Sequence, residues 1–139
     1  DWIVDYVTAG GLTDRVDGPA AIAPPAVPEF MNTLDVLVLP SIPTASWVEQ
    51  FGRVLVEAMA CEVAVVASDC GEIPGVMGDA GILVEPGDRR ELLGALERLR
   101  DDPEHRTELG RRGRERVLAN YTQQRIAATR VDFYREISA

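Results

Sequence analysis

Lysine is absent from this chain of 139 residues; all 14 basic side chains are arginine, and histidine occurs once, at His105. Cysteine is nearly absent too, and Cys61 and Cys70 have no metal-ligand spacing. One histidine and two such thiols exclude a zinc centre and Cys/His catalysis. His105, in Pro103-Glu104-His105-Arg106, reads as a solvated helix residue. Two thiols without a disulfide framework fit a reducing, cytoplasmic location. No apolar run approaches the roughly 18–20 residues that span a bilayer, and a cleavable signal is missing. There is no initiator methionine: the chain opens Asp1-Trp2 and is expected to be a fragment or a processed piece.

What is present is an ordinary globular composition. Apolar residues make up 46% and charged residues 27%, enough for one domain with a real core. Charge is unevenly placed. Residues 1–88 hold 14 carboxylates against Arg15 and Arg53 alone, whereas residues 89–139 hold 9 carboxylates against 12 arginines. An acidic first half argues against nucleic acid as a partner. The run Arg111-Arg112-Gly113-Arg114-Glu115-Arg116 reads as the wet face of a helix, with a basic patch for an anionic membrane surface as the alternative.

Strand and helix signals alternate along the chain. Residues 2–9 are ambiguous and stop at Gly10-Gly11; Arg15-Val16 starts a strand that Gly18-Pro19 interrupts, and residues 17–28 read as irregular. A proline-initiated helix follows over 28–34. The apolar run Val36-Leu37-Val38-Leu39, ended by Pro40-Ser41, suits a strand buried on both faces. Further strands are expected over 63–68 and 81–84, and a helix over 52–61. Asp88 and Glu91 form a capping box opening a helix to about Arg100. Asp102-Pro103 opens another to about Ala119. Thr122 opens the C-terminal helix, over about 122–139, with Ile126, Phe133, Tyr134 and Ile137 on one face. This order predicts an α/β fold, a Rossmann-like parallel sheet flanked by helices.

The chemistry concentrates in Glu49-Gln50-Phe51-Gly52-Arg53-Val54-Leu55-Val56-Glu57. A glycine followed by helix formers exposes backbone N–H groups that attract a phosphate or another oxyanion. Glu49 lies before that start and Glu57 one to two turns inside it. Arg53 is the one cation beside the anion position. Carboxylates on both sides of a phosphate suit a ligand with hydroxyls at both ends, the shape of a nucleotide sugar. The plainer alternative is a helical Arg53–Glu57 pair. The loops after the strands ending at Leu39 and Ser68 leave from carboxyl ends, where such sheets bind ligands, and are expected to converge on one crevice.

An ordered series of blocks then becomes recognisable. Leu37-Val38-Leu39-Pro40-Ser41, Glu49 and Glu57 with seven residues between, Ala58-Met59-Ala60-Cys61, Val65-Val66-Ala67-Ser68, Gly71-Glu72-Ile73-Pro74, Gly78-Asp79-Ala80-Gly81 and Glu85-Pro86-Gly87-Asp88 follow one another. The series resembles the donor-binding half of the retaining GT-B glycosyltransferases of family 4, also called group 1, over about residues 14–138. The resemblance implies the C-terminal half of a GT-B fold, truncated at its N-terminus. It implies transfer of a sugar from a nucleotide-sugar donor with retention of configuration. Glu57 is then the ligand of the ribose hydroxyls, and Glu49 contacts the donor sugar and acts at the reacting centre. Backbone N–H groups of Phe51, Gly52 and Arg53 reach sugar oxygens and the distal phosphate. No protein nucleophile, cofactor or metal is implied.

The resemblance also implies what lies outside these residues: an acceptor-binding N-terminal domain and an Arg/Lys pair for the pyrophosphate. The chain alone is therefore expected to be inactive, and its sheet to carry an uncovered apolar edge. For the parent, peripheral contact with the inner membrane face is a further expectation. Two positions depart from the family pattern. Glu62 stands where glycine would end a helix in a left-handed turn, at a cost of roughly 1 kcal/mol, and Gly75 replaces an often acidic or polar residue. Two other readings stay open: a sugar-nucleotide 2-epimerase of GT-B architecture, for which no additional acid/base residues are found, and a non-catalytic nucleotide-binding module.

Overall fold

Strands β1 (Val36–Leu39), β2 (Ala64–Ser68) and β3 (Ile82–Val84) form one parallel sheet in that order in the computed structural model, which describes residues 2–18 and 21–138. The Gly18-Pro19 interruption and the last residue of the C-terminal helix therefore fall partly outside the described residues. Helices α1 (Trp2–Ala9) and α2 (Val27–Met31) precede the sheet, α3 (Arg53–Ala60) joins β1 to β2, and α4 (Ile73–Met77) joins β2 to β3. Then come α5 (Arg89–Asp101), α6 (Pro103–Asn120) and α7 (Gln123–Ile137).

Alternation along β2 divides the core into two layers. Val65 and Ala67 pack with Leu55 and Met59 of α3, Ile73 and Met77 of α4, and Val117 of α6. Ala64 and Val66 point the other way, to Val84, Ala95 and Leu99 of α5, and Leu109 of α6. The period of two in a strand enforces this division. All five residues of β2 are buried, as its continuous apolar run requires. The β1 run does not reach that state: its four residues are half-buried, because only β2 pairs with it among the described residues.

Several sequence expectations change in three dimensions. Residues 2–9 are helical, and Arg15-Val16 forms no strand. A 3-10 turn at Pro24–Ala26 and the first residues of α2 occupy part of the stretch read as irregular. The Asp88 carboxylate accepts from the Arg90 and Glu91 N–H groups as a cap should, but Glu91 does not reciprocate toward Asp88. Its carboxylate accepts from the Glu85 N–H at 2.6 Å, since the Asp88 N–H is already given to the Glu85 carbonyl at 3.0 Å. Glu62 does sit in the left-handed region, at φ 60°. Of the face expected on α7, Ile126 is half-buried, whereas Phe133, Tyr134 and Ile137 are exposed, the two rings meeting each other with centroids 6.0 Å apart.

The arginine run of α6 serves as bracing and is not a free patch. Arg111 pairs with Glu108 and Glu115, and Arg112 with Asp79. Arg114 donates to the Ala60 carbonyl at 2.6 Å, satisfying the C-terminal end of α3, where carbonyls lack partners. Arg116 does the same for α4, donating to the carbonyls of Val76 at 2.7 Å and Gly75 at 2.6 Å. The C-terminal ends of α3 and α4, which lead into the starts of β2 and β3, are thus tied to one long helix.

Candidate functional site

The loop after β1 and the loop after β2 meet, as their exit from neighbouring carboxyl ends requires. The Glu72 N–H donates to the Glu49 carbonyl at 3.2 Å, and the Cys70 thiol lies 3.7 Å from the Ser41 carbonyl. Gly71 makes the approach possible. Its φ is +56°, and a Cβ there would stand 2.0 Å from the Glu49 carbonyl oxygen, so only glycine fits both the backbone and the space. Sequence reasoning did not single out Gly71; its place in the loop after a buried strand was the available signal.

The start of α3 is built as expected in backbone and differently in its partners. Gly52 is the N-cap residue, at φ 71° and ψ 55°, with no side-chain cap of its own. It is buried, and an added Cβ would stand 3.0 Å from the Leu55 side chain and 3.4 Å from that of Leu39. The Glu49 carboxylate accepts from the Gly52 N–H at 3.1 Å and lies 3.5 Å from the Phe51 nitrogen. Two of the three N–H groups predicted to meet a ligand thus already face a protein carboxylate. The physical reason is local: the Glu49 side chain is two and three residues before these nitrogens and folds back onto the turn that leads into α3. The Arg53 and Val54 N–H groups find no backbone or side-chain acceptor among the described residues.

Glu57 and Arg53 are both exposed on α3. The alternative of a helical Arg53–Glu57 pair is not realised, and neither side chain has a charged or hydrogen-bonded partner among the described residues. An unpaired carboxylate thus stands one turn from an unpaired guanidinium beside a helix start. The Phe51 ring has a different task. It meets Tyr121 edge to face, with centroids 5.7 Å apart and planes at 84°, and the Tyr121 hydroxyl donates to the Val76 carbonyl at 3.2 Å. The Phe51 side chain therefore anchors the loop to the end of α6, and only its backbone faces the site. Tyr121 was not foreseen either, because it lies 70 positions away in sequence.

The chemistry of this arrangement matches an anion flanked by hydroxyls: a carboxylate is an acceptor for a diol, and a guanidinium and free backbone N–H groups are donors for a charge. Among the described residues no group of three or more His, Cys, Asp and Glu gathers to hold a metal ion. No helix among them is long and apolar enough to cross a membrane.

The family model described as glycosyl transferases group 1 matches residues 1–116. The alpha-maltose-1-phosphate synthase of Mycolicibacterium smegmatis is 38% identical over 119 residues, 80% of this chain and 30% of the relative. The sucrose-phosphate synthase of Thermosynechococcus elongatus superposes with a TM-score of 0.81 at 34% identity, covering 97% of this chain and 33% of that one. The Anabaena protein Alr3699/HepE, solved with UDP-glucose, gives a TM-score of 0.77 at 26% identity over 94% of this chain and 36% of its own. The chain spans about a third of the length of the curated relatives it matches.

Proposed function

This chain belongs to the glycosyl transferases group 1 family, and from that premise we propose that it is the donor-binding half of a glycosyltransferase, holding a nucleotide sugar against the start of α3. The observation that carries the reading is the pair Arg53 and Glu57, exposed and unpartnered one turn apart, on a helix whose entry loop is locked to the neighbouring loop through Glu49 and Glu72. Glu57 accepts from the two ribose hydroxyls. Arg53 and the N–H groups at the helix start meet the distal phosphate. Glu49 contacts the donor sugar, giving up or sharing the Gly52 N–H as the ligand enters. The UDP-glucose held by the Anabaena relative is a donor of this class.

Transfer proceeds with retention, the acceptor entering on the face that the nucleoside diphosphate leaves, so no protein nucleophile is needed. Catalysis consists of positioning and of stabilising the departing diphosphate. One arginine does not balance a diphosphate in a region this acidic. The remaining cations, and the acceptor site, are contributed from outside these 139 residues, so the chain alone binds the donor and does not turn it over. No metal takes part in this scheme.

Calorimetric titration of the chain with UDP-glucose tests the reading. Charge-assisted hydrogen bonds of about 1.5–3 kcal/mol each make Glu57→Ala weaken binding by at least about tenfold. Equal affinity of the variant and the wild type rules out the ribose role.

A further inference from the structure

A cavity of about 220 Å³ opens on the opposite face of the sheet from α3. Strand register explains its floor. Ser68 pairs with Val84, and Leu39 with Ala67, so Pro40, Ser68 and Val84 stand side by side at the carboxyl edge. Their parity is that of Ala64 and Val66, the residues turned toward α5. Leu92 and the Asp88-Arg89 entry to α5 form the other wall, with Ile42 and Glu85 at the rim.

Ser68 is the informative residue. Among the described residues it is the one buried polar residue, at 1% exposure, and its hydroxyl has no hydrogen-bond partner. No fully enclosed side-chain oxygen or nitrogen there lacks a partner, so the small exposed part of Ser68 is its hydroxyl, facing the cavity. A buried hydroxyl costs free energy unless it is bonded, which sets it apart from its apolar neighbours Pro40 and Val84.

The lining selects the occupant. The N–H groups of Arg90 and Glu91 are taken by the Asp88 carboxylate, and the Glu85 N–H by Glu91, so the start of α5 offers no empty anion site. Two acidic residues, Glu85 and Asp88, line the cavity against one basic residue, Arg89, a balance that disfavours a phosphate. These groups accept and donate to neutral hydroxyls, while Pro40, Val84 and Leu92 offer a surface for C–H bonds. The volume is below the roughly 300–1,000 Å³ of sites for drug-sized ligands and suits one ring.

We propose that this cavity is a second ligand site, taking one neutral, polyhydroxylated six-membered ring, a pyranose or a cyclitol, with a ring hydroxyl bonded to Ser68. The site is separate from the one at α3 and does not depend on the donor reading.

Amide chemical-shift titration of the full chain with methyl α-glucopyranoside and with myo-inositol, into the millimolar range, tests it. Saturable shifts are expected at Ser68 and across residues 84–92 for at least one of the two. Ser68→Ala weakens that binding by about threefold to tenfold, one neutral hydrogen bond, and Leu92→Phe, which narrows the cavity, removes it. The absence of saturable shifts with both probes overturns the proposal, as does unchanged affinity in Ser68→Ala. A tighter response to inorganic phosphate at the same amides overturns the neutral-ring assignment. A parallel UDP titration reports on residues 49–57, so loss of the donor reading is seen separately.

Discussion

Replacing Gly71 by alanine tests whether the two ligand-facing loops are locked together by close approach. The added Cβ would stand 2.0 Å from the Glu49 carbonyl oxygen and 2.9 Å from the Val48 side chain. Ordinary contact begins near 3.4 Å, so the Glu49 segment has to retreat by about 1.4 Å. That retreat breaks the Glu72 N–H bond to Glu49, a net loss of about 0.5–1.5 kcal/mol. The φ of +56° adds roughly 1–2 kcal/mol for a residue with a Cβ. Together these give a destabilisation of about 1.5–3.5 kcal/mol, with displacement of Glu49 from the Gly52 N–H. Gly87→Ala is the internal control: its φ is +82°, but nothing lies within 4 Å of the added atom, so it carries the strain alone. Urea unfolding of both variants, with UDP-glucose titration alongside, separates the contributions. Equal stability of the two variants, together with wild-type donor affinity in Gly71→Ala, refutes the close-approach argument.

Other perturbations are simpler. Glu62→Gly relieves the left-handed strain at φ 60° and should stabilise the fold by up to about 1 kcal/mol, seen as a higher thermal midpoint; a lower one contradicts the strain. Asp102→Ala removes the acceptor of the His105 N–H and should cost about 1 kcal/mol in urea unfolding. Hydrogen bonds from Arg100 and Arg111, the largest cause in each case, hold the Asp101 and Glu108 carboxyls below their usual range. A depressed folded value makes each contribution present above the unfolded pKa of about 4 and lost as pH falls through the lower folded value. Both groups are fully exposed, so the effect on stability is small and salt-sensitive. Carboxyl-carbon NMR titration should show the Glu108 midpoint rising in Arg111→Gln; an unmoved midpoint removes the cause.

The sequence made the sheet and its flanking helices legible because each signal is local. Val36 to Leu39 and Ala64 to Ser68 are short apolar runs closed by polar or proline residues. The caps at Asp88, Asp102 and Thr122 announce helix starts and are found where expected. Misreadings fall where the deciding contact is not local. Residues 2–9 have apolar content without clear period, and Glu91 turns to Glu85 because another carbonyl already holds the Asp88 N–H. The same division runs through the site. Glu49, Phe51, Gly52, Arg53 and Glu57 could be named from spacing and family resemblance, but the packing of the Phe51 ring on Tyr121 could not.

By itself, then, the sequence determined the three strands and the helices that open at Gly52, Asp88, Asp102 and Thr122, the membership in a family and the stretch that carries the chemistry, since these follow from residue identity and short-range period; it did not foresee α1 or α4. Only the tertiary structure decided which groups at that stretch remain available. It gave the Gly52 N–H to Glu49, left Arg53 and Glu57 unpaired among the described residues, and placed Arg114 and Arg116 on helix ends. It also brought Pro40, Ser68 and Val84 into one row beneath a cavity. The reason is that hydrogen-bond partners are allotted by distance in space, and residues far apart in the chain compete for the same donor.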